Sequence, residues 1–251
     1  MRRLLASLGF TVGLVVLSSP RAASGDCALP RYAWQLAAPA PVVLPSTGSL
    51  VVSIVQTLGV TNERPAQPGS PPPSLAWRMG SRSLAVTPQS IAPGVYSYAV
   101  PAAPLGDWLV TGLGPPFRVR TIAMRQAALA PPVPASIDVV RVSHGYGRDP
   151  GPMFFATVRL TAPVPAGIVG VVGYFSPTTV PSGLADAFAA VVAGAMDVPL
   201  YRPPSRCGHG LGRSPPRDGM RVTLAFLDFS GRVSARSTQL IVHMRDSPAP
   251  P

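Results

Sequence analysis

From Arg206 to Gly212 the chain reads Arg-Cys-Gly-His-Gly-Leu-Gly. A thiol two residues from an imidazole has the donor types of a soft-metal site or an activated nucleophile. The cysteine count points elsewhere. The chain holds two cysteines, Cys27 and Cys207, and in an exported protein an even number is expected to pair. A disulfide-bonded Cys207 has no thiolate to give. His209 is then a lone imidazole, because His144 and His243 sit in separate contexts at strand ends and zinc needs three or four ligands. No metal and no cofactor is expected, with His209 the residue that a metal-binding reading would use. Peptide mass spectrometry without reduction is expected to recover Cys27 joined to Cys207. Finding both thiols free would remove the pairing.

Other catalytic patterns are equally thin. There is no Gly-x-Ser-x-Gly elbow, and Gly-His-Gly-Leu-Gly lacks the strand-turn-helix setting of a phosphate loop. The acids are nine scattered aspartates and Glu63, whereas glycosidase chemistry needs two on facing elements. Asp149 and Asp218 stand in turn-forming contexts. The chain is accordingly read as non-enzymatic. The rival reading is a secreted hydrolase or metal-binding protein that uses the loop residue His209 with His144 or the scattered aspartates.

The charge around the opening motif is one-sided. Arg202, Arg206, Arg213, Arg217 and Arg221 fall within about 20 residues that hold one acid, Asp218. Guanidinium groups match carboxylates and phosphates in bidentate fashion, so the five form a possible anion-binding rim. All 21 basic residues are arginine, and a lysine-free chain also solvates its loops with arginine.

The elements that position these residues begin with an export signal. Arg2 and Arg3 precede an apolar run from Leu4 to Leu17 and then small residues, the order of a secretory signal peptide. Residues 1–25 are assigned to it, with Asp26 as the mature N-terminus. Losing Arg2, Arg3 and Arg21 takes three charges from +11 and leaves +8. Such a charge favours anionic partners, but export makes nucleic acid a poor one. The expected partner is an unidentified protein or an anionic envelope component, in the periplasm or outside. No later apolar run has the length of a membrane helix, so no transmembrane segment is expected in the mature chain.

The 33 prolines divide the rest into short runs rich in β-branched and aromatic residues, bounded by Gly/Pro turns. Strands are expected within 48–58, 74–79, 94–101, 107–113 and 117–124, and again within 137–144, 153–162, 167–176, 221–229 and 237–244. Between the two groups Ala128 to Ser136 contains paired prolines, read as a semi-rigid linker. The expected fold is all-β, with two immunoglobulin-like β-sandwich domains in tandem over 26–131 and 132–245. Residues 246–251 are expected to form a disordered tail. Residues 183–197 are rich in alanine, the best helix former, and are carried as a short helix inserted in the second domain. If Cys27 pairs with Cys207, Cys27 to Leu36 is expected to run along the second domain or the junction.

Near the C-terminus, Gly219 to Val242 joins an alternating strand to Asp228, Gly231 and Ser234 and then to another strand. This resembles the closing hairpin of bacterial immunoglobulin-like and fibronectin type III-like domains, with Arg232 where those families place asparagine. The resemblance implies a sandwich and no activity. The expected function is that of an exported, non-catalytic interaction or envelope-associated module.

Overall fold

The structure is a computed structural model that describes residues 31–37, 41–57, 70–142, 152–177, 185–201 and 215–247. Every regular element among them is a strand. The first nine are β1 (Arg31–Leu36), β2 (Val42–Pro45), β3 (Ser49–Thr57), β4 (Leu75–Met79), β5 (Arg82–Val86), β6 (Gln89–Ala92), β7 (Val95–Ala99), β8 (Gly106–Thr111) and β9 (Phe117–Ile122). They form a four-stranded sheet in the order β1-β3-β7-β6 and a five-stranded sheet in the order β2-β9-β8-β4-β5. The remaining eight are β10 (Pro134–Val142), β11 (Met153–Leu160), β12 (Ile168–Ser176), β13 (Ala187–Ala190), β14 (Asp197–Tyr201), β15 (Arg221–Asp228), β16 (Leu240–Ile241) and β17 (Met244–Ser247). These give β14-β11-β10-β17 and β13-β12-β15-β16.

Each sandwich follows from period-two patterning. Along β9, Val119 and Thr121 are buried while Arg118 and Arg120 are exposed, because alternate side chains leave a strand on opposite faces. Early and late strands share each sheet, so the chain crosses repeatedly between sheets, as in immunoglobulin-like sandwiches. Both sandwiches close in the same way. An early strand lies parallel to the last one, β2 on β9 and β10 on β17.

The first core is built on Trp77 and Trp108, both fully buried, with rings edge to face at 6.2 Å and 73°. Tyr98 closes beside them and donates its hydroxyl to the Pro73 carbonyl at 2.7 Å. The second core gathers Leu160, Val171, Leu224 and Phe226 from β11, β12 and β15.

The short helix expected over 183–197 is replaced by strand and turn from Ala185 onward. Alanine's helix propensity loses to tertiary packing. Ala187 and Ala189 face the second core, and the Phe188 ring lies against Gly170 of the neighbouring β12, where a side chain would collide with it. Gly194, at φ +89°, then turns the chain into β14, an edge strand that tolerates Pro199. Arg31–Leu36 lies in the sheet that faces the second sandwich, on the junction side of the expected alternatives. It does not run along the second sandwich but pairs with β3, because Tyr32 and Trp34 point into the first core. At the C-terminal end, Asp246 and Ser247 complete β17.

Parallel β17 is fixed to β10 by two reciprocal ion pairs. Arg141 reaches Asp246 at 2.7 and 3.1 Å, and Arg245 reaches Asp138 at 2.8 and 2.7 Å. The hydrogen bonds from Arg245 hold the Asp138 carboxyl below the usual carboxylate range. Because its folded pKa is depressed, the stabilisation is present above the unfolded carboxylate pKa and fades as pH falls through the lower folded value. Exposed pairs of this kind contribute little to global stability. Acidification is therefore expected to lower the amide protection factors of β17 before those of the cores, which NMR exchange corrected for the intrinsic pH dependence will report.

Candidate functional site

The residues singled out in the sequence fall mostly outside the described segments. Cys27, Cys207, His209 and His144 do so, as do Arg202, Arg206 and Arg213. Arg217 and Arg221 are placed at one end of the second sandwich. Arg217 is exposed ahead of β15, and Arg221 opens that strand with its Nη1 on Gln239 Oε1 at 3.2 Å. His243 joins them at this end, because the 218–220 turn is stitched to the segment before β17. Gly219 N–H donates to the Val242 carbonyl, and Val242 N–H to that of Met220. Asp218 opens the expected turn and in addition accepts the Met244 N–H at 2.8 Å, a bond across 26 residues. Among the described residues no group of three or more His, Cys, Asp or Glu side chains could hold a metal ion.

A contact absent from the sequence reading lies between the sandwiches. The outer face of β1-β3-β7-β6 contributes Val51, Ala92 and Val95, and the outer face of β13-β12-β15-β16 contributes Val172, Ala185 and Leu227. All six are buried in a third apolar cluster. The four sheets therefore stack, with the inner two burying both faces. A signal for this was present. Antiparallel strands with one wet face alternate, whereas strands buried on both faces read as continuous apolar runs. Leu50-Val51-Val52 and Val169 to Phe175 are runs of that kind.

One turn locks the seam. Between β15 and β16, the buried Asp228 Oδ1 accepts the Ser230 N–H at 3.0 Å, the Ser230 hydroxyl at 2.8 Å and the Arg232 N–H at 3.0 Å. Its Oδ2 accepts the Arg232 guanidinium at 2.7 and 2.8 Å. The same guanidinium donates to the Ala127 carbonyl, and Gln126 donates to Ser230 Oγ at 2.8 Å. Arg232, standing where asparagine is usual, thus ties the turn to the segment that joins the sandwiches. Ser49 at the start of β3 donates its N–H to the Ser230 carbonyl at 2.6 Å, and Phe229 packs on the first core.

Gly231 permits that approach twice over. Its φ is +81°, and a Cβ there would stand 2.7 Å from Ser49 Cβ. Gly231→Ala is expected to destabilise by about 1–3 kcal/mol through backbone strain alone, with the Ser49 collision adding to it. Urea denaturation of the purified chain measures the loss, and an unchanged midpoint would show that the turn relaxes freely.

Among the described residues no helix is long and apolar enough to cross a membrane. No protein-family model matches the chain, and no curated protein matches it. Among solved structures, the chain is similar to the FN1-FN3 domains of chicken CNTN1 at 15% identity and a TM-score of 0.30, covering 85% of this chain and 65% of that one. The chain thus spans just under two thirds of that structure. It is also similar to the fibronectin(III)-like modules of Clostridium thermocellum CbhA at 10% identity and a TM-score of 0.25, covering 84% and 94%. The immunoglobulin-like sandwich architecture stands on the strand order and the cores.

Proposed function

We propose that the chain is an exported, non-catalytic interaction module that associates with the cell envelope. Each sandwich is a domain in this reading, with the boundary near residue 132, and a Cys27–Cys207 disulfide fastens the mature N-terminus to the second domain. The observation that carries it is how five of the seven described aspartates are used. Asp138 and Asp246 clamp β17, Asp218 holds the Met244 N–H and Asp228 organises the inter-sandwich turn. Asp186 accepts the Phe175 N–H at 2.8 Å. Aspartates engaged in backbone and arginine bonds serve the scaffold, and an acid or base catalyst needs a carboxyl directed at substrate.

The basic rim of Arg202, Arg206, Arg213, Arg217 and Arg221 is the proposed contact with an anionic envelope component. Fractionation of the native host, with the N-terminus of the mature protein determined, tests export and envelope association together. The protein is expected in the envelope fraction, beginning at Asp26. Changing the five arginines to glutamine is expected to release it, and unchanged retention would remove the rim from the reading. Stoichiometric zinc or copper that disappears in His209→Ala would replace the proposal with the metal-binding one.

A further inference from the structure

The outward face of β2-β9-β8-β4-β5 carries unbalanced charge. Register sets Arg78 beside Leu109 and Leu109 beside Arg118, so the two arginines flank an apolar side chain that is 40% exposed. Arg120 follows two residues along β9, between Asp107 and Val43 in register, and Val43 is 38% exposed. Strand spacing puts Arg78 and Arg118 about 10 Å apart at the backbone, and strand rise puts Arg118 and Arg120 about 7 Å apart. Several other described arginines are engaged, although the exposed Arg82, Arg125, Arg159 and Arg217 also enter no ion pair among the described residues. Arg141, Arg232 and Arg245 pair with aspartates, Arg221 meets Gln239, and Arg236 lies 3.8 Å over the Tyr174 ring. Arg78, Arg118 and Arg120 enter no ion pair among the described residues.

We propose that this face docks a partner protein whose contact surface sets carboxylates around an apolar centre, an inference that rests on the interaction-module reading. Arginine around a small apolar centre is the composition favoured at protein interfaces. A second copy docked face to face would oppose arginine with arginine, which like-charge repulsion disfavours. A hydrated polyanion would satisfy the guanidinium groups and give Leu109 and Val43 nothing. Against a lipid surface, two half-exposed side chains on a flat sheet lack the continuous apolar face that interfacial insertion needs. A protein surface satisfies both features.

The isotopically labelled mature chain is titrated with the peptide Gly-Glu-Ser-Leu-Ser-Glu-Gly, which in extended form presents Glu, Leu and Glu on one face. Amide shifts are expected in β4, β8 and β9. Arg78→Gln with Arg118→Gln, and separately Leu109→Ser, are each expected to weaken binding about tenfold. All three side chains are exposed, and unchanged spectra elsewhere confirm that the variants fold. Shifts absent from these strands, binding indifferent to the substitutions, or a stronger response of this face to heparin oligosaccharide or phosphatidylglycerol vesicles would overturn the proposal. Failure here with envelope association intact removes this face alone, whereas peptide binding without envelope association keeps the interaction module and removes its envelope assignment.

Discussion

Trp108→Ala is expected to destabilise the first sandwich by about 3–5 kcal/mol, the range for emptying a buried aromatic site. Trp108 and Trp77 have no exposed surface and meet edge to face on adjacent strands of one sheet. Leu50, Val52 and Tyr98 of the opposite sheet belong to the same core and are fixed by backbone pairing, so collapse is limited. Trp108→Phe makes a sharper contrast. Neither indole Nε1 has a hydrogen-bond partner among the described residues, so phenylalanine gives up volume and sheds a buried unpaired donor, whose burial costs about 1–3 kcal/mol. The two effects oppose each other, and Trp108→Phe is expected to lose far less than Trp108→Ala. Urea denaturation followed by tyrosine and residual tryptophan fluorescence separates them. Both variants remove the same N–H, so their difference reports the ring volume alone, and equal losses would mean that the core gains nothing from a smaller ring at this site.

What the sequence made legible was local. The strands beginning near Ser49, Leu75, Gly106, Phe117, Met153, Ile168 and Arg221 announce themselves by β-branched content between Gly/Pro turns, because these patterns are enforced residue by residue. Short edge strands such as β2, β5 and β13 carry too few residues for periodicity to register. The alanines of 185–195 favour a helix in isolation, and only the sheet beside them reverses that preference. The region from Ser237 to Met244 reads as one strand, yet the chain forms β16, leaves it, and starts β17 against a different sheet. The aspartate-glycine turn was visible from Asp228, Gly231 and Ser234. Its role was not, since the partners of Arg232 and Ser230 at Ala127 and Gln126 lie about 100 residues earlier in sequence. The arginine face was hidden for a similar reason: Arg78, Arg118 and Arg120 become neighbours only through strand register. The opening Cys207-Gly-His209 motif lies outside the described residues.

Val171 and Val172 are adjacent in β12 and both fully buried, yet the same substitution at each is expected to give different molecules. Val171 faces the core of the second sandwich, where an aspartate has no solvent path. Whether it stays charged or takes up a proton, a buried carboxyl without partners costs several kcal/mol, which only unfolding relieves. Val171→Asp is therefore expected to lose β10–β17 while the first sandwich stays folded. Val172 faces the seam, and the carboxylate can reach water if the inner sheets part. Each sandwich keeps its own core in that event, so Val172→Asp is expected to preserve the strand content. It converts one cooperative transition into two and increases the radius of gyration in small-angle scattering. The seam also buries Thr223 on the outer side of β15 with its hydroxyl unpaired among the described residues, so opening relieves one cost as it loses apolar contact. The Arg232 and Gln126 bonds across the joining segment resist the separation. Combining Val172→Asp with Arg232→Ala is accordingly expected to widen the scattering profile further than either change alone. A Val172→Asp protein with the native radius and a single transition would show that the stacked sheets are held by the turn and the joining segment, with the apolar seam a passive consequence.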